Sequence, residues 1–244
     1  MQARTTDLLE TWPHRLAGPG VPARLIERPN RFVARCETPD GETLAHVPDR
    51  GRLEGVLVPG ARVWLHPSPG EKRRTAFTLL VAEEPSTGTL VAIDPAGANR
   101  HVRRMVEQGL LSGLGTVRSM RAEVRRGASR FDFWIETDEG PLVVEVKSVG
   151  AAKDGVGLFP DAPSERATKH LRELAGIARR KEARVMALFV AQRGDVRTVR
   201  AASGIDPVFA ATLREVRGEV EVRAVGLSVT PEGVRFRGEL PVDD

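Results

Sequence analysis

Residues 129–147 read SRFDFWIETDEGPLVVEVK, and the fold of the second half of the chain turns on them. Phe131, Phe133 and Ile135 share one parity and point to one face of a strand, whereas Asp132 and Trp134 point to the other. Thr137-Asp138-Glu139-Gly140 supplies a turn, after which Leu142, Val144 and Val146 face one way and Val143, Glu145 and Lys147 the opposite way. The pattern predicts a two-stranded unit with an acid on its first strand. One face of its second strand carries an acid and a lysine two residues apart. A run as apolar as PLVVEV predicts a central strand covered on both sides, where a charge needs a partner.

That arrangement has a chemical reading. Two carboxylates converging on one face can hold a hard cation such as magnesium through oxygen ligands. The cation would lower the pKa of a bound water and neutralise the charge developing on a phosphodiester. Lys147, a compact charge beside it, is suited to orienting the water or contacting the phosphate. The same residues also fit the solvated face of an antiparallel hairpin, where cross-strand Glu and Lys are ordinary, and spacing alone leaves both readings open.

A chain of 244 residues with 41% hydrophobic content is comfortable for two domains with real cores. Its one cysteine, Cys36, excludes an internal disulfide framework and fits a reducing cytosol. Apolar runs such as VMALFVA at 185–191 are far short of a membrane span, and MQARTTDLLETWPHRL carries acids and lacks the apolar stretch of a signal peptide. The expectation is a soluble cytoplasmic protein with no membrane partner. Net charge is only +4, yet just five of the 37 basic side chains are lysines: Lys72, Lys147, Lys153, Lys169 and Lys181. Arginine suits bidentate phosphate contact and stacking on bases, although a GC-rich genome inflates arginine as well. Clustering says more. Arg100, Arg103 and Arg104, then Arg118, Arg121, Arg125, Arg126 and Arg130, precede the Asp132/Glu145 strands, a basic approach of the kind a nucleic-acid substrate requires.

Taken in order, residues 3–17 read as a short amphipathic helix or a loose arm interrupted by Pro13. From about 20 to 93 short alternating runs (RFVARCE, ETLAHV, ARVWLH, TAFTLLVAEE, TLVAID) are separated by TPDG, PDRG and PSPG turns, which predicts a small barrel, with the oligonucleotide/oligosaccharide-binding (OB) type as one candidate. Phe32, Trp64 and Phe77 suit either stacking on unpaired bases or filling the barrel, and the interior is expected to take them. Arg50 and Arg52, and Arg73 and Arg74 beside Lys72, are loop charges open to phosphate contact or to solvent. At Pro95 the period becomes helical, and residues 97–111 place Val102, Met105, Val106 and Leu110 on one face. The expected domains are therefore 1–94 and 95–244. Strands are expected at 117–125, 131–136 and 141–148, then a Gly-rich connection, VGAAKDGVGLF, and a helix beginning near Asp161. Asp161 or Ser164 can cap that helix; Glu165 and Lys169, four apart, share a face, and His170 lies one position on. A cap, a dipole partner and a surface ion pair explain the same residues. A buried strand at 184–192, a helix near 206–217 and strands in EVEVRAVGLSV and GVRFRG complete a mixed α/β domain.

GASRFDFWI, VVEVKSVG and LFPDAPSERATKHLREL resemble the signature segments of the sugar fermentation stimulation protein A (SfsA) family. RFVARCETPDGETLAHVPDRGRLEGVLVPGARVWL and AGANRHVRRMVEQGLL resemble its N-terminal segments, so the likeness runs from about Val21 onward. The resemblance implies an α+β or mixed fold: an N-terminal OB-fold-like barrel, then a PD-(D/E)xK nuclease-like α/β domain. It also implies DNA binding, with a role in regulating sugar-utilisation genes. By the same resemblance Asp132 matches the first acid of the nuclease motif and Glu145 and Lys147 its E-x-K. Glu123 matches an additional metal-binding acid, with Glu107 as second choice, and Glu165 and Lys169 face the site from the helix. The family's barrel usually reads Pro-Asn-Thr-Gly where this chain has Pro48-Asp49-Arg50-Gly51, so that turn's contact with nucleic acid is expected to differ here.

Three functions follow as alternatives. The first is a DNA-binding hydrolase in which Asp132, Glu145 and Glu123 hold magnesium or manganese, Lys147 assists, and Arg50, Arg52, Arg103, Arg104, Arg121, Arg125 and Arg130 bind single- or double-stranded DNA. The second is a non-catalytic DNA-binding regulator with a quiescent nuclease-like site. The third, a carbohydrate-binding protein, leaves the arginines and the D…ExK face without a role. A homodimer is allowed, though no motif calls for it.

Overall fold

The computed structural model describes residues 10–11, 20–68 and 74–243. The arm read over 3–17 falls outside them apart from a two-residue strand, β1 (Glu10–Thr11), and Lys72 and Arg73 also lie outside. Two compact units divide the chain. One comprises Met1–Gly97 with Gln192–Asp195 and Gly226–Arg237; the other comprises Ala98–Ala191, Val196–Val225 and Gly238–Asp244.

In the first unit the alternating runs form β2 (Val21–Asn30), β3 (Val33–Thr38), β4 (Gly41–His46), β5 (Arg62–Pro67), β6 (Phe77–Glu84) and β7 (Thr89–Ala92). The TPDG turn works as predicted: Thr38 Oγ1 donates to the Gly41 carbonyl at 2.8 Å, and Gly41 takes φ +113°, a conformation only glycine adopts without strain. β2, β3 and β4 form an antiparallel meander, and β2 pairs with β5 and β5 with β6 in the same sense. β4 then pairs with β6 in parallel through Ala45↔Phe77 and His46↔Thr78. That last pairing closes five strands into an OB barrel. Small side chains (Ala34, Cys36, Ala45) alternate inward beside Leu25, Val63, Leu65 and Leu79, as a narrow interior demands. The segment 192–195 belongs here because Arg193 is fully buried and its guanidinium donates to Glu84 Oε2 at 2.7 Å and to Asp195 Oδ1 at 2.7 Å. Burial of a charge is tolerable only with such partners.

The second unit is built from α1 (Pro95–Glu107), β8 (Val117–Arg126), β9 (Ser129–Thr137), β10 (Gly140–Val149), β11 (Ala151–Lys153), β12 (Val156–Phe159), α2 (Glu165–Arg179), β13 (Arg184–Ala191), β14 (Thr198–Ala201), α3 (Pro207–Val216), β15 (Glu221–Thr230), β16 (Gly233–Leu240) and β17 (Val242–Asp243), the ends of α1, β15 and β16 being shared with the first. β8, β9 and β10 are antiparallel, and β10 lies parallel to β13 from Leu142↔Arg184 to Val149↔Ala191. The succession is a helix, three antiparallel strands, the β11–β12 hairpin, a helix and a strand parallel to β10, which makes the mixed α/β domain expected after the barrel. β10 is covered on both sides, as PLVVEV predicts: Leu142 through Lys147 are all buried. On one side Trp134 and Val143 pack with Leu171, Leu174 and Ile177 of α2 and Phe209, Leu213 and Val216 of α3. Phe131, which the alternation sets on the opposite face with Phe133 and Ile135, joins them because Asp132 pairs with neither neighbouring strand and the alternation breaks there.

Three boundaries differ from expectation. α1 spans 95–107 rather than 97–111, because Gly109 turns the chain at φ +65°. α2 starts at Glu165 rather than near Asp161: Ser164 caps it, its Oγ accepting from the Ala167 N–H at 3.2 Å. The glycine-rich connection is itself structured. β11 and β12 pair around an Asp154–Gly155 turn and join β14 and β17 in a separate four-stranded sheet.

Candidate metal centre and nucleic-acid interface

β9 and β10 pair as far as Val144↔Phe133, and just beyond that last pair Asp132 of β9 and Glu145 of β10 follow on adjacent strands. The Val146 N–H donates to Asp132 Oδ2 at 2.8 Å, and Asn99 of α1 donates to Oδ1 at 2.7 Å. Glu145 and Lys147 are 4% and 7% exposed, which puts both charges inside the sheet layer. Lys147 Nζ donates to Glu145 Oε1 at 2.7 Å, and His170 Nδ1 of α2 meets that same oxygen at 2.5 Å. Glu145 Oε2 is buried and has no hydrogen-bond partner among the described residues. His170 comes from the buried face of α2, with Ala167, Leu171 and Leu174, and its ring lies 5.7 Å from that of Phe131.

The two acids are held differently. Burial and the Glu145 charge raise the pKa of Asp132, against the pull of the Val146 N–H, Asn99 and Lys147. Burial alone would raise Glu145 too, but the bond to His170 and the Lys147 ammonium outweigh it and lower its pKa. One carboxylate with its pKa held down, another beside it with its pKa raised, and a buried oxygen without a donor make a pair that a dication would relieve. Among the described residues no group of three or more His, Cys, Asp or Glu side chains gathers for a metal. The chain therefore offers two hard oxygen donors, the set Mg²⁺ or Mn²⁺ accepts when water or phosphate completes the shell. On that ground the residues fit a divalent cation.

The structure thus brings Asp132, Glu145 and Lys147 together and adds Asn99 and His170. The other expected residues lie at the surface. Glu165 is exposed in the first turn of α2, and Lys169 is exposed with Nζ 3.8 Å from Glu173 rather than paired to Glu165. Glu123 takes φ +54° and its carboxylate lies 3.4 Å from Arg130 Nη1, while Glu107 pairs with Arg104 at 3.2 Å. His170 left a trace in the sequence, next to Lys169 on an otherwise apolar face; Asn99 left none.

β8 ends the sheet, and Arg118, Arg121 and Arg125 on it are exposed. Arg126 and Arg121 lie over the Trp134 ring at 4.0 and 5.9 Å, and Arg103 of α1 lies over Phe133 at 5.7 Å. In the barrel Arg52 is 3.4 Å from Glu54, and Arg50 lies over Phe32 at 5.3 Å. Trp64 is buried and Phe77 packs on the barrel core as expected, but Phe32 is 42% exposed, because it sits in a turn rather than on an inward strand position.

Two family models match the chain. The one described as the SfsA N-terminal OB domain covers residues 26–93, and the one described as the sugar fermentation stimulation protein RE domain covers residues 96–233. The sugar fermentation stimulation protein homolog of Thioalkalivibrio sulfidiphilus is 43% identical over 224 residues, 90% of this chain and 93% of that one. The homolog of Geobacter metallireducens is 39% identical over 234 residues, 93% of this chain and 99% of that one. Among solved structures, that of Pyrococcus furiosus SfsA in complex with Ca²⁺ is similar at a TM-score of 0.85 and 30% identity, covering 98% of this chain and all (100%) of that one.

Proposed function

Because the chain belongs to the sugar fermentation stimulation protein (SfsA) family, we propose that it binds DNA and hydrolyses phosphodiester bonds at a divalent-metal site in its second unit. The observation that carries this is the half-buried Asp132 beside the buried Glu145 and Lys147, with Glu145 Oε2 left without a donor among the described residues. Asp132 and Glu145 would hold magnesium or manganese, and the Ca²⁺ complex of Pyrococcus furiosus SfsA supports a site of that kind. Bound there, the cation supplies charge neutralisation at the phosphodiester and a more acidic water. The chain's own residues do the rest. Asn99 and the Val146 N–H fix the Asp132 rotamer, His170 fixes Glu145, and Lys147 has further N–H groups to offer a phosphate oxygen or the attacking water. Glu123, Glu165 and Lys169 form an exposed rim. The arginines of β8, with Arg103 and Arg104, take the DNA backbone, whose charge they match without reading sequence.

We place the protein in the cytoplasm. Burial pushes the Cys36 thiol up to about 11, which leaves it unreactive, as a lone structural cysteine is in a reducing compartment. Among the described residues no helix is long and apolar enough to cross a membrane.

A second reading, a regulator of sugar-utilisation genes with a quiescent site, draws on one observation: both Asp132 oxygens already accept protein donors. Calorimetric titration with Mn²⁺ tests whether the site takes metal. The expected result is binding by the native chain and none by Asp132→Ala, with circular dichroism unchanged. Equal binding by that variant would remove Asp132 from the site.

A further inference from the structure

The turn between β2 and β3 carries an aromatic ring outside the barrel core, and the chain around it is unusually well fastened. The Phe32 N–H donates to Asn30 Oδ1 at 2.9 Å, and its carbonyl accepts from the Val47 N–H at 2.8 Å, so the turn is tied to the end of β4. The loop of residues 48–52 follows at once. Arg28 locks the two loops to each other: Nη1 donates to the Gly51 and Arg52 carbonyls at 3.0 Å each, and Nη2 to the Asp49 carbonyl at 3.0 Å and the Arg31 carbonyl at 2.9 Å. Asp49 Oδ1 also accepts from the Gly51 N–H at 2.7 Å. Four carbonyls on one guanidinium hold a backbone whose outward side chains are Phe32, Arg31 and Arg50, with the Arg50 guanidinium 5.3 Å from the ring centroid. Neither Arg31 nor Arg50 has a carboxylate within salt-bridge distance among the described residues.

A ring left in water forgoes the burial that Trp64 obtains on the same barrel. Presented by a turn so fastened, with the Arg50 guanidinium over it and no acid paired to that arginine among the described residues, it has the surface a nucleobase face seeks: an aromatic ring for stacking and a guanidinium for stacking or for the adjoining phosphate. Bases inside a duplex are stacked on one another and offer only their edges in the grooves.

We propose that Phe32 and Arg50, presented by the Arg28-locked loops, form a stacking platform for a base of an unpaired nucleic-acid strand. This rests on the DNA-binding reading and narrows it to single strands at the barrel. The turn Pro48-Asp49-Arg50-Gly51 then acts through an arginine side chain laid on an aromatic ring.

Fluorescence anisotropy of the full chain with a labelled oligothymidylate, and with a duplex, at one fixed salt concentration tests this. Phe32→Ala is expected to weaken single-strand binding about tenfold and to leave duplex binding unchanged, while Phe32→Tyr binds like the native chain. The thermal midpoint of each variant is measured alongside, and an exposed turn residue should leave it unmoved. Native binding that Phe32→Ala does not weaken would overturn the platform and leave the DNA-binding reading standing. Failure of the native chain to bind either oligonucleotide would overturn both. A change in sedimentation in place of a change in affinity would assign the face to contact between two copies and overturn the proposal.

Discussion

Glu145 is held at one oxygen by two donors and at the other by none, and the consequences of that asymmetry are testable one side chain at a time. His170→Ala removes a bond that fixes the carboxylate's rotation, and Mn²⁺ affinity should fall about 10–100-fold in calorimetry, with partial recovery in His170→Asn. Unchanged affinity would reduce His170 to a packing role. A second residue-scale prediction concerns His66 in the barrel. It is fully buried, neither ring nitrogen has a partner among the described residues, and burial pushes its pKa down to about 4 from 6.5. The unfolded chain takes up this proton below pH 6.5 and the folded chain does not until about pH 4. Its neutral burial therefore favours the fold above pH 6.5, and that advantage drains away as pH falls towards about 4. Urea unfolding should show a loss of up to ~3 kcal/mol across this window, and His66→Leu should flatten the slope. At this scale the sequence was legible where chain-local parity decides a side chain's direction, as for Glu145 and Lys147, and not at Phe131, which departs from the alternation where the strand ladder is interrupted at Asp132. Asn99 and His170 reach the site from helices, and the facing of a helix depends on packing that no spacing rule supplies.

At the scale of elements, the N-termini of α2 and α3 share one carboxylate. Asp206 Oδ1 accepts from the Phe209 N–H at 2.9 Å, capping α3, and Oδ2 accepts from the Ser164 N–H at 2.8 Å, next to the start of α2. Asp206→Ala leaves both donors in need of new partners and should cost about 2–3 kcal/mol in denaturant unfolding, whereas Asp206→Asn, which keeps one acceptor, should cost less. Equal losses for the two variants would show that charge, not the second bond, is what counts. Most elements were readable from the sequence because alternation and turn residues agree, as in TPDG before β4 and in the apolar β10 and β13. The failures were at ends and in the glycine-rich stretch. Three residues such as Ala151–Lys153 carry too little pattern to announce a strand, and β12 exists through its partner β14, some 40 residues on.

At the scale of the whole chain, the shift from alternating to helical text at Pro95 announced two bodies. It could not announce that residues 192–195 and 226–237 belong with the first, since contacts such as Arg193–Glu84 join positions 109 residues apart. If the β8 and α1 arginines carry the DNA backbone, log affinity for duplex should fall linearly with log salt. Arg121→Ala with Arg125→Ala should weaken binding of different sequences alike and reduce the salt slope by about 2. An affinity flat across salt would remove the backbone from the interface. Digestion of labelled single- and double-stranded DNA with Mn²⁺, with Mg²⁺ and with EDTA tests whether the Asp132–Glu145–Lys147 face cleaves phosphodiesters with a divalent cation. Cleavage is expected to need the cation and to disappear in Glu145→Ala and Lys147→Ala. Binding by gel shift without cleavage under any of these conditions would contradict it.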